Sequence, residues 1–287
     1  MRILCFGKHG LLSSELQTFL PELQPAAMQF LSKSDCDITD EKAVRLVFKR
    51  FQPTHVINAA AYTDVDGCEG NGATANMING FALDYMIEGC HSCDATMIHF
   101  STDYVFNGKK EGPYDEGDDT LPINAYGESK LIGEKKIREQ LLSHYIIRIQ
   151  WVFGTARKNF ISSIIEATKT QSELRVVNDQ FGSPTSTTSI SKAVVNLILN
   201  KPAHGTYHFR SLNHTSWYEY ASFVLDQCNI KVPIIPVSSH EYRAKAKRPK
   251  NGVLNIAKWI YSDLYTPPTW RRDVMNYLNK KKYMKEK

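Results

Sequence analysis

The sequence has no long apolar run. Nothing in it approaches the roughly 18–20 consecutive apolar residues that a membrane-spanning helix needs, so no membrane partner is expected. It also lacks a leader pattern of charged, apolar and small-residue regions, because Arg2–Phe6 enters a strand pattern at once. Cysteine is sparse: the six residues at 5, 36, 68, 90, 93 and 228 are scattered, and Cys90-x-x-Cys93 falls on a helical pattern with no second pair. Free thiols in a cytoplasmic protein are the expectation, with neither a disulfide framework nor a metal site. A strong excess of one charge is missing too, since 35 Lys and Arg stand against 30 Asp and Glu. Part of the net charge of +5 belongs to Lys280-Lys281-Lys282 and Lys285-Glu286-Lys287, which read as a solvated end. Nucleic-acid binders gather basic residues on one face, whereas this chain mixes both signs, so no nucleic-acid partner is expected. Internal repeats and low-complexity linkers are absent as well.

What is present is alternation. Short apolar runs at Arg2–Phe6, Ala27–Leu31, His55–Asn58, Thr96–Ser101 and His144–Ile149 read as strands. Between them, Glu15–Leu20, Asp40–Phe51, Ala73–Gly89 and Gly127–Gln140 carry helical spacing, with Thr39 or Asp40 able to cap the second. Strand–helix alternation of this kind predicts an α/β fold, a Rossmann-type doubly wound parallel sheet that binds ligands beyond the carboxyl ends of its strands. After Trp151 the pattern loosens into helices at Asn159–Thr170, Ser189–Leu199 and Trp217–Cys228 separated by polar turns. We therefore expect a dinucleotide-binding domain over residues 1–150. Residues 151–287 would form mainly a smaller mixed α/β lobe, with some segments returning to the first domain.

Gly7-Lys8-His9-Gly10-Leu11-Leu12-Ser13 follows the first strand and opens the first helix. Gly7 and Gly10 would let the backbone turn tightly and approach a pyrophosphate at the helix N-terminus, although Ser13 stands where a third glycine is usual. The second strand ends in Leu31-Ser32-Lys33-Ser34, without the acidic residue that typically binds the ribose 2′-hydroxyl of NAD. Lys33 and its serines suit a 2′-phosphate, which favours NADPH, with NADH as the alternative if Lys33 is only a surface lysine.

Tyr126 and Lys130 lie four apart at the start of a helix and so share one face. A phenol titrates near ~10, and a neighbouring ammonium would bring it towards neutral pH as an acid–base group. Upstream, Ser101-Thr102-Asp103-Tyr104 ends a buried strand in hydroxyls and a carboxylate, where Thr102 could donate to a carbonyl oxygen becoming an alkoxide. Asn58-Ala59-Ala60-Ala61-Tyr62-Thr63 closes another strand with small residues that admit flat rings. Asn79, in mid-helix, is either partnered or on the surface.

Together these segments resemble the extended short-chain dehydrogenase/reductases, and among them the dTDP-4-dehydrorhamnose reductase family. The resemblance also takes in Asp37-Ile38-Thr39-Asp40, Pro122–Glu134, Trp151-Val152-Phe153-Gly154, Asp179–Thr185, Thr215–Tyr218 and Arg248-Pro249-x-Asn251, and so runs through nearly the whole chain. It implies a catalytic triad of Thr102, Tyr126 and Lys130, with NADPH as the hydride source. The implied reaction is reduction of the C4 ketone of a dTDP-linked 4-keto-6-deoxy sugar to dTDP-L-rhamnose. It further implies that Asp103, Tyr104 and Trp151 line the sugar pocket beside Thr102 and Tyr126. Gly10, Leu11, Leu12, Asp37, Ile38, Ala61, Tyr62 and Thr63 would meet the cofactor, Lys130 would hold its ribose, and the C-terminal lobe would hold the nucleotide. A homodimer is the assembly to test. Gln150 departs from the family's usual serine, which leaves a related nucleotide-linked 4-keto-6-deoxy sugar open as substrate.

Two rival readings remain at this point. A sugar-nucleotide epimerase or dehydratase would share the fold, but a dehydratase typically pairs Asp with Glu beside the hydroxyl residue, and Thr102-Asp103-Tyr104 has no glutamate. A non-catalytic subunit resembling the regulatory β-subunit of methionine adenosyltransferase would have no need of Thr102, Tyr126 and Lys130 together.

Overall fold

The computed structural model describes residues 1–283, so the basic cluster Lys285-Glu286-Lys287 lies outside the described residues. In chain order the first half runs β1 (Arg2–Phe6), α1 (Leu11–Phe19), β2 (Ala27–Leu31), α2 (Glu41–Phe51), β3 (His55–Asn58), α3 (Val65–Cys68), α4 (Gly72–Asn76), α5 (Leu83–Cys93), β4 (Thr96–Thr102), α6 (Ala125–Gln140) and β5 (His144–Ile149). The second half adds β6 (Val152–Phe153), α7 (Phe160–Ala167), β7 (Leu174–Val177), β8 (Phe181–Gly182), β9 (Thr185–Ser186), α8 (Thr187–Asn200), β10 (Gly205–His208) and β11 (Thr215–Ser216). It closes with α9 (Trp217–Gln227), β12 (Ile234–Val237), α10 (Ser239–Tyr242), α11 (Ala257–Tyr261) and α12 (Trp270–Lys280).

A six-stranded sheet in the order β10-β5-β4-β3-β1-β2 forms the centre, and all of its pairings are parallel. Strands buried on both faces must be apolar throughout, and Ile3, Leu4, Cys5 and Phe6 are completely buried. One face of the sheet packs on α1 and α8 through Leu16, Ile98, Ile190, Val194 and Trp259. The other packs on α2 and α5 through Val44, Phe48, Met86 and Ile87. Chain order reverses at β1, which has β2 on one side and β3 on the other. A crevice opens at such a switch point beyond the carboxyl ends, and the Gly7–Gly10 turn sits there.

Local chemistry sets the boundaries. The Asp40 side chain accepts from Ala43 N at 3.1 Å and starts α2, and Asn124 accepts from Gly127 N at 2.7 Å and starts α6. Ser216 and Glu219 cap α9 reciprocally. The expected single helix over 73–89 is instead broken. A π-helical turn, Met77–Phe81, separates α4 from α5, with Ala82 N bonded to Met77 O at 2.9 Å. Asn79 lies in the middle of this turn, and its side chain bonds Tyr62 and Ser129. Gly133 lets α6 approach this turn, since a Cβ there would collide with the Asn79 carbonyl.

The C-terminal elements gather around Phe153, Ile161, Val176, Tyr220, Trp270 and Tyr277, while β10 adds itself to the edge of the central sheet against β5. No helix among the described residues is long and apolar enough to cross a membrane.

Candidate active site

Two adjoining clefts lie beyond the carboxyl ends of β1, β3, β4 and β5. They share Gly10, Ala59, Ala60, Ala61 and Arg157, and so form one continuous groove.

The outer cleft, of about 470 Å³, is bordered by Gly7, Gly10, Lys33, Asp37, Ile38, Ala61 and Tyr62. Gly7 has φ +93°, and a Cβ there would lie 2.7 Å from the Ala59 carbonyl oxygen, so only glycine fits. Gly10 is the N-cap of α1 and offers no side-chain bond, which leaves the first-turn amides at Leu11 and Leu12 to an outside acceptor. Ser13 serves as the small residue that the third glycine would have been. It is fully buried, with Oγ 3.5 Å from Cys5 Sγ, and holds α1 against β1. Lys33 is largely exposed at the rim and pairs with Asp37 at 3.5 Å. The nearest acid after β2, Asp35, is turned away, accepting from Ser32 N at 2.9 Å and Ser32 Oγ at 2.6 Å.

The inner cleft, of about 530 Å³, collects Leu11, Leu12, Thr63, Thr102, Asp103, Tyr104, Tyr126, Lys130 and Trp151. The structure thus places every residue expected at the site along one groove. Thr102 ends β4; its hydroxyl donates to Asp103 Oδ1 at 3.1 Å and accepts from Tyr104 N at 3.2 Å. The Tyr104 and Tyr126 rings meet edge to face, with centroids 5.8 Å apart. Trp151 adopts φ +44°, unusual for a bulky residue, and stacks on Trp217 at 3.7 Å. That strained backbone aims an aromatic wall into the cleft.

The electrostatics differ from the expectation at Tyr126. Burial and the nearby Asp103 carboxylate push its phenol well above the usual value, and the Thr102 hydroxyl offsets this only in part. Lys130, 2% exposed, turns to His99 instead, with Nζ 3.1 Å from Nε2, and burial lowers its ammonium to about 8. Desolvation therefore outweighs any ammonium effect on the phenol in this arrangement. Tyr126 keeps its proton at neutral pH, the state a donor to a forming alkoxide needs. Asp103 is pushed up to about 7 by burial, and its Oδ2 has no hydrogen-bond partner among the described residues.

Asn79 resolves as the partnered alternative. It is buried, accepts from Tyr62 N at 2.8 Å, and donates to Tyr62 O at 3.0 Å and Ser129 Oγ at 2.9 Å. It thereby ties the Ala59–Thr63 wall to the helix that carries Tyr126 and Lys130. Sequence reasoning assigned no role to His99, Trp217, Arg157 or Lys158, all of which border the groove or touch its residues. The Arg157-Lys158 pair was the signal available for an anion-facing loop. Gln150, noted only as a departure, is buried in the inner cleft with neither carboxamide atom partnered among the described residues.

The model of the family described as "RmlD substrate binding domain" matches residues 1–283. The chain is 36% identical over 282 residues to the spore coat polysaccharide biosynthesis protein SpsK of Bacillus subtilis (strain 168), covering 98% of each chain. It is 34% identical over 293 residues to the dTDP-4-dehydrorhamnose reductase of Escherichia coli (strain K12), covering 97% of each. Among solved structures it resembles the dTDP-4-dehydrorhamnose reductase of Bacillus anthracis strain Ames in complex with NADP. That match has a TM-score of 0.93 and 31% identity over 97% of this chain and 99% of that one.

Proposed function

The chain belongs to the RmlD substrate binding domain family, and from that membership we propose how its groove works as an NADPH-dependent reductase of a dTDP-linked sugar. It reduces the C4 ketone of dTDP-4-dehydrorhamnose to give dTDP-L-rhamnose. The observation that carries the residue assignments is the convergence of Thr102, Tyr126 and Lys130 in one cleft continuous with the glycine turn.

The groove fits a dinucleotide. Gly7 tolerates no Cβ beside Ala59, and Gly10 opens α1 with its amides available to a pyrophosphate. Gly7, Gly10, Leu11 and Leu12 would hold the phosphates, Asp37 and Ile38 the adenosine end, and Ala61, Tyr62 and Thr63 the wall beside the ring. Lys33 at the rim, with Asp35 turned into its own loop, suits a 2′-phosphate and supports NADPH. When bound, the cofactor supplies the hydride.

The chain's own groups do the rest. Thr102 Oγ would turn its one hydrogen from Asp103 Oδ1 to the ketone oxygen, and the Tyr126 phenol gives that oxygen its proton as negative charge develops. Lys130 holds the ribose side of the cleft. Asp103, Tyr104 and the Trp151–Trp217 stack would orient the sugar and exclude water, and the lobe over residues 151–287 would mainly hold the nucleotide. Orientation of this kind is the protein's contribution where a cofactor carries the electron chemistry.

Turnover of NADPH with dTDP-4-dehydrorhamnose, and NMR of the product at C4, tests this directly; dTDP-L-rhamnose is the expected product. The two carboxamide atoms of Gln150, without a partner among the described residues, favour one second reading, a related 4-keto-6-deoxy sugar with an extra polar group at that wall. Faster reduction of such a sugar than of dTDP-4-dehydrorhamnose would establish it.

A further inference from the structure

Behind the reaction cleft lies a chain of three buried polar side chains whose hydrogen atoms can be counted. His99 on β4 stands opposite Asn58 on β3 in the sheet register, and His99, Asn58 and Lys130 are each no more than 2% exposed. Ala60 N donates to Asn58 Oδ1 at 3.1 Å, which fixes the carboxamide. Its other atom, Nδ2, can only donate, and it faces His99 Nδ1 at 3.2 Å. Nδ1 must therefore accept. A neutral imidazole then carries its single proton on Nε2, which faces Lys130 Nζ at 3.1 Å.

An N–H directed at an ammonium meets no lone pair, so this arrangement is satisfied only when Nζ is an uncharged amine. The opposite arrangement, a charged Lys130 donating to Nε2, puts the imidazole proton on Nδ1. Asn58 must then rotate its carboxamide to accept that proton, and the bond from Ala60 is lost.

We propose that Asn58 and His99 are a positioning pair that couples the charge of Lys130 to the backbone at Ala60, the wall shared by both clefts. An uncharged Lys130 goes with the Nε2–H tautomer and an Asn58 bonded to Ala60. A charged Lys130 goes with the Nδ1–H tautomer and a rotated Asn58. The proposal rests on Lys130 belonging to the reductase site described above.

The surroundings support a balance between the two states. Burial and the charge of Lys130 hold His99 neutral, well below its usual pKa, and burial brings Lys130 to about 8. Glu134, one turn along α6, is the carboxylate that favours the ammonium. It is already engaged by Arg148 at 2.9 and 2.7 Å and by Arg138 at 2.8 Å. Asp103 and Tyr126 are among the other titratable groups lining the cleft that Asn58 and Lys130 border.

The test is nitrogen NMR of the cofactor-free full chain labelled with ¹⁵N-histidine, titrated from about pH 6 to about pH 10. His99 is expected to carry its proton on Nε2 at the alkaline end and to move it to Nδ1 as Lys130 charges. A proton fixed on Nδ1 across the whole range, or on Nε2 across the whole range, would overturn the coupling. Asn58→Asp should freeze the Nδ1–H tautomer, because a carboxylate can only accept. It should also raise the apparent pKa of Lys130 by at least about one unit, read from the alkaline limb of kcat/KM. His99→Gln provides a second variant, and it should raise the same limb, since its carboxamide oxygen can accept from an ammonium. An unshifted limb in the folded variants would also count against the pair. Loss of the reductase reading would appear differently, as no turnover alongside an intact tautomer switch in the wild type.

Discussion

Asp103→Asn should make the protein more stable at alkaline pH and leave it nearly unchanged in mild acid. Asp103 is 3% exposed, its Oδ2 has no partner among the described residues, and it packs against Gly252, where even a Cβ would clash with that oxygen. Burial lifts the carboxyl from 3.8 to about 7. The folded state therefore binds this proton more tightly than the unfolded chain does. Its contribution is fully present below about pH 4 and is lost as pH rises through about 7. A shift of ~3 units at ~1.4 kcal/mol each bounds the loss at about 4 kcal/mol, and local relaxation reduces it to about 2 kcal/mol. Asparagine keeps the shape without the charge. For a chain of this size the variant should melt about 4–8 °C higher than wild type at about pH 8.5, with a difference near zero at about pH 4. Scanning calorimetry across that range is the assay. An equal difference at both pH values, or a less stable variant in alkali, would refute the burial argument.

Three further outcomes follow from the same geometry. Lys33→Ala should raise the KM for NADPH several-fold and change that for NADH little, because an exposed cation is worth about 1 kcal/mol to a phosphate partner; equal changes for both would remove Lys33 from the 2′-phosphate site. Asn79→Leu, which fits the volume but frees Tyr62 and Ser129, should lower NADPH affinity measured by calorimetry about tenfold while the fold persists. Arg148→Met should cost about 3–5 kcal/mol in urea unfolding, since it leaves the Glu134 carboxylate buried with only Arg138; a cost under about 1 kcal/mol would contradict the pairing.

Much of this was legible in the sequence, and the exceptions have physical causes. β1 and β2 were readable to the residue because they are short apolar runs, and α2 was readable because Asp40 caps an amphipathic stretch. The groove could be foreseen because its residues sit at strand ends, where the topology must place them. The break in the 73–89 helix was not legible, since the π turn falls at Asn79, whose side-chain partner at Tyr62 is distant in sequence. β10 was missed because Gly-Thr-Tyr-His has no alternation and becomes a strand only by pairing with β5. α12 was missed because its apolar face, Trp270, Val274, Tyr277 and Leu278, is interrupted by the exposed Arg271 and Arg272 and by Asp273, which is buried where Ser189 and Ser211 bond it. Spacing places Lys130 on the same helix face as Tyr126, but the burial and the Asp103 carboxylate that raise the phenol, and the turn of Lys130 towards His99, depend on tertiary packing that spacing does not show.

The most direct test of the central claim is the initial rate of NADPH oxidation with dTDP-4-dehydrorhamnose, wild type against Tyr126→Phe, with NADPH affinity measured on both. The account predicts turnover in the wild type and a loss of at least about 10²-fold in kcat for the variant, with the cofactor affinity little changed. A variant that turns over at the wild-type rate would contradict it, as would a folded, NADPH-binding wild type that leaves the keto sugar untouched.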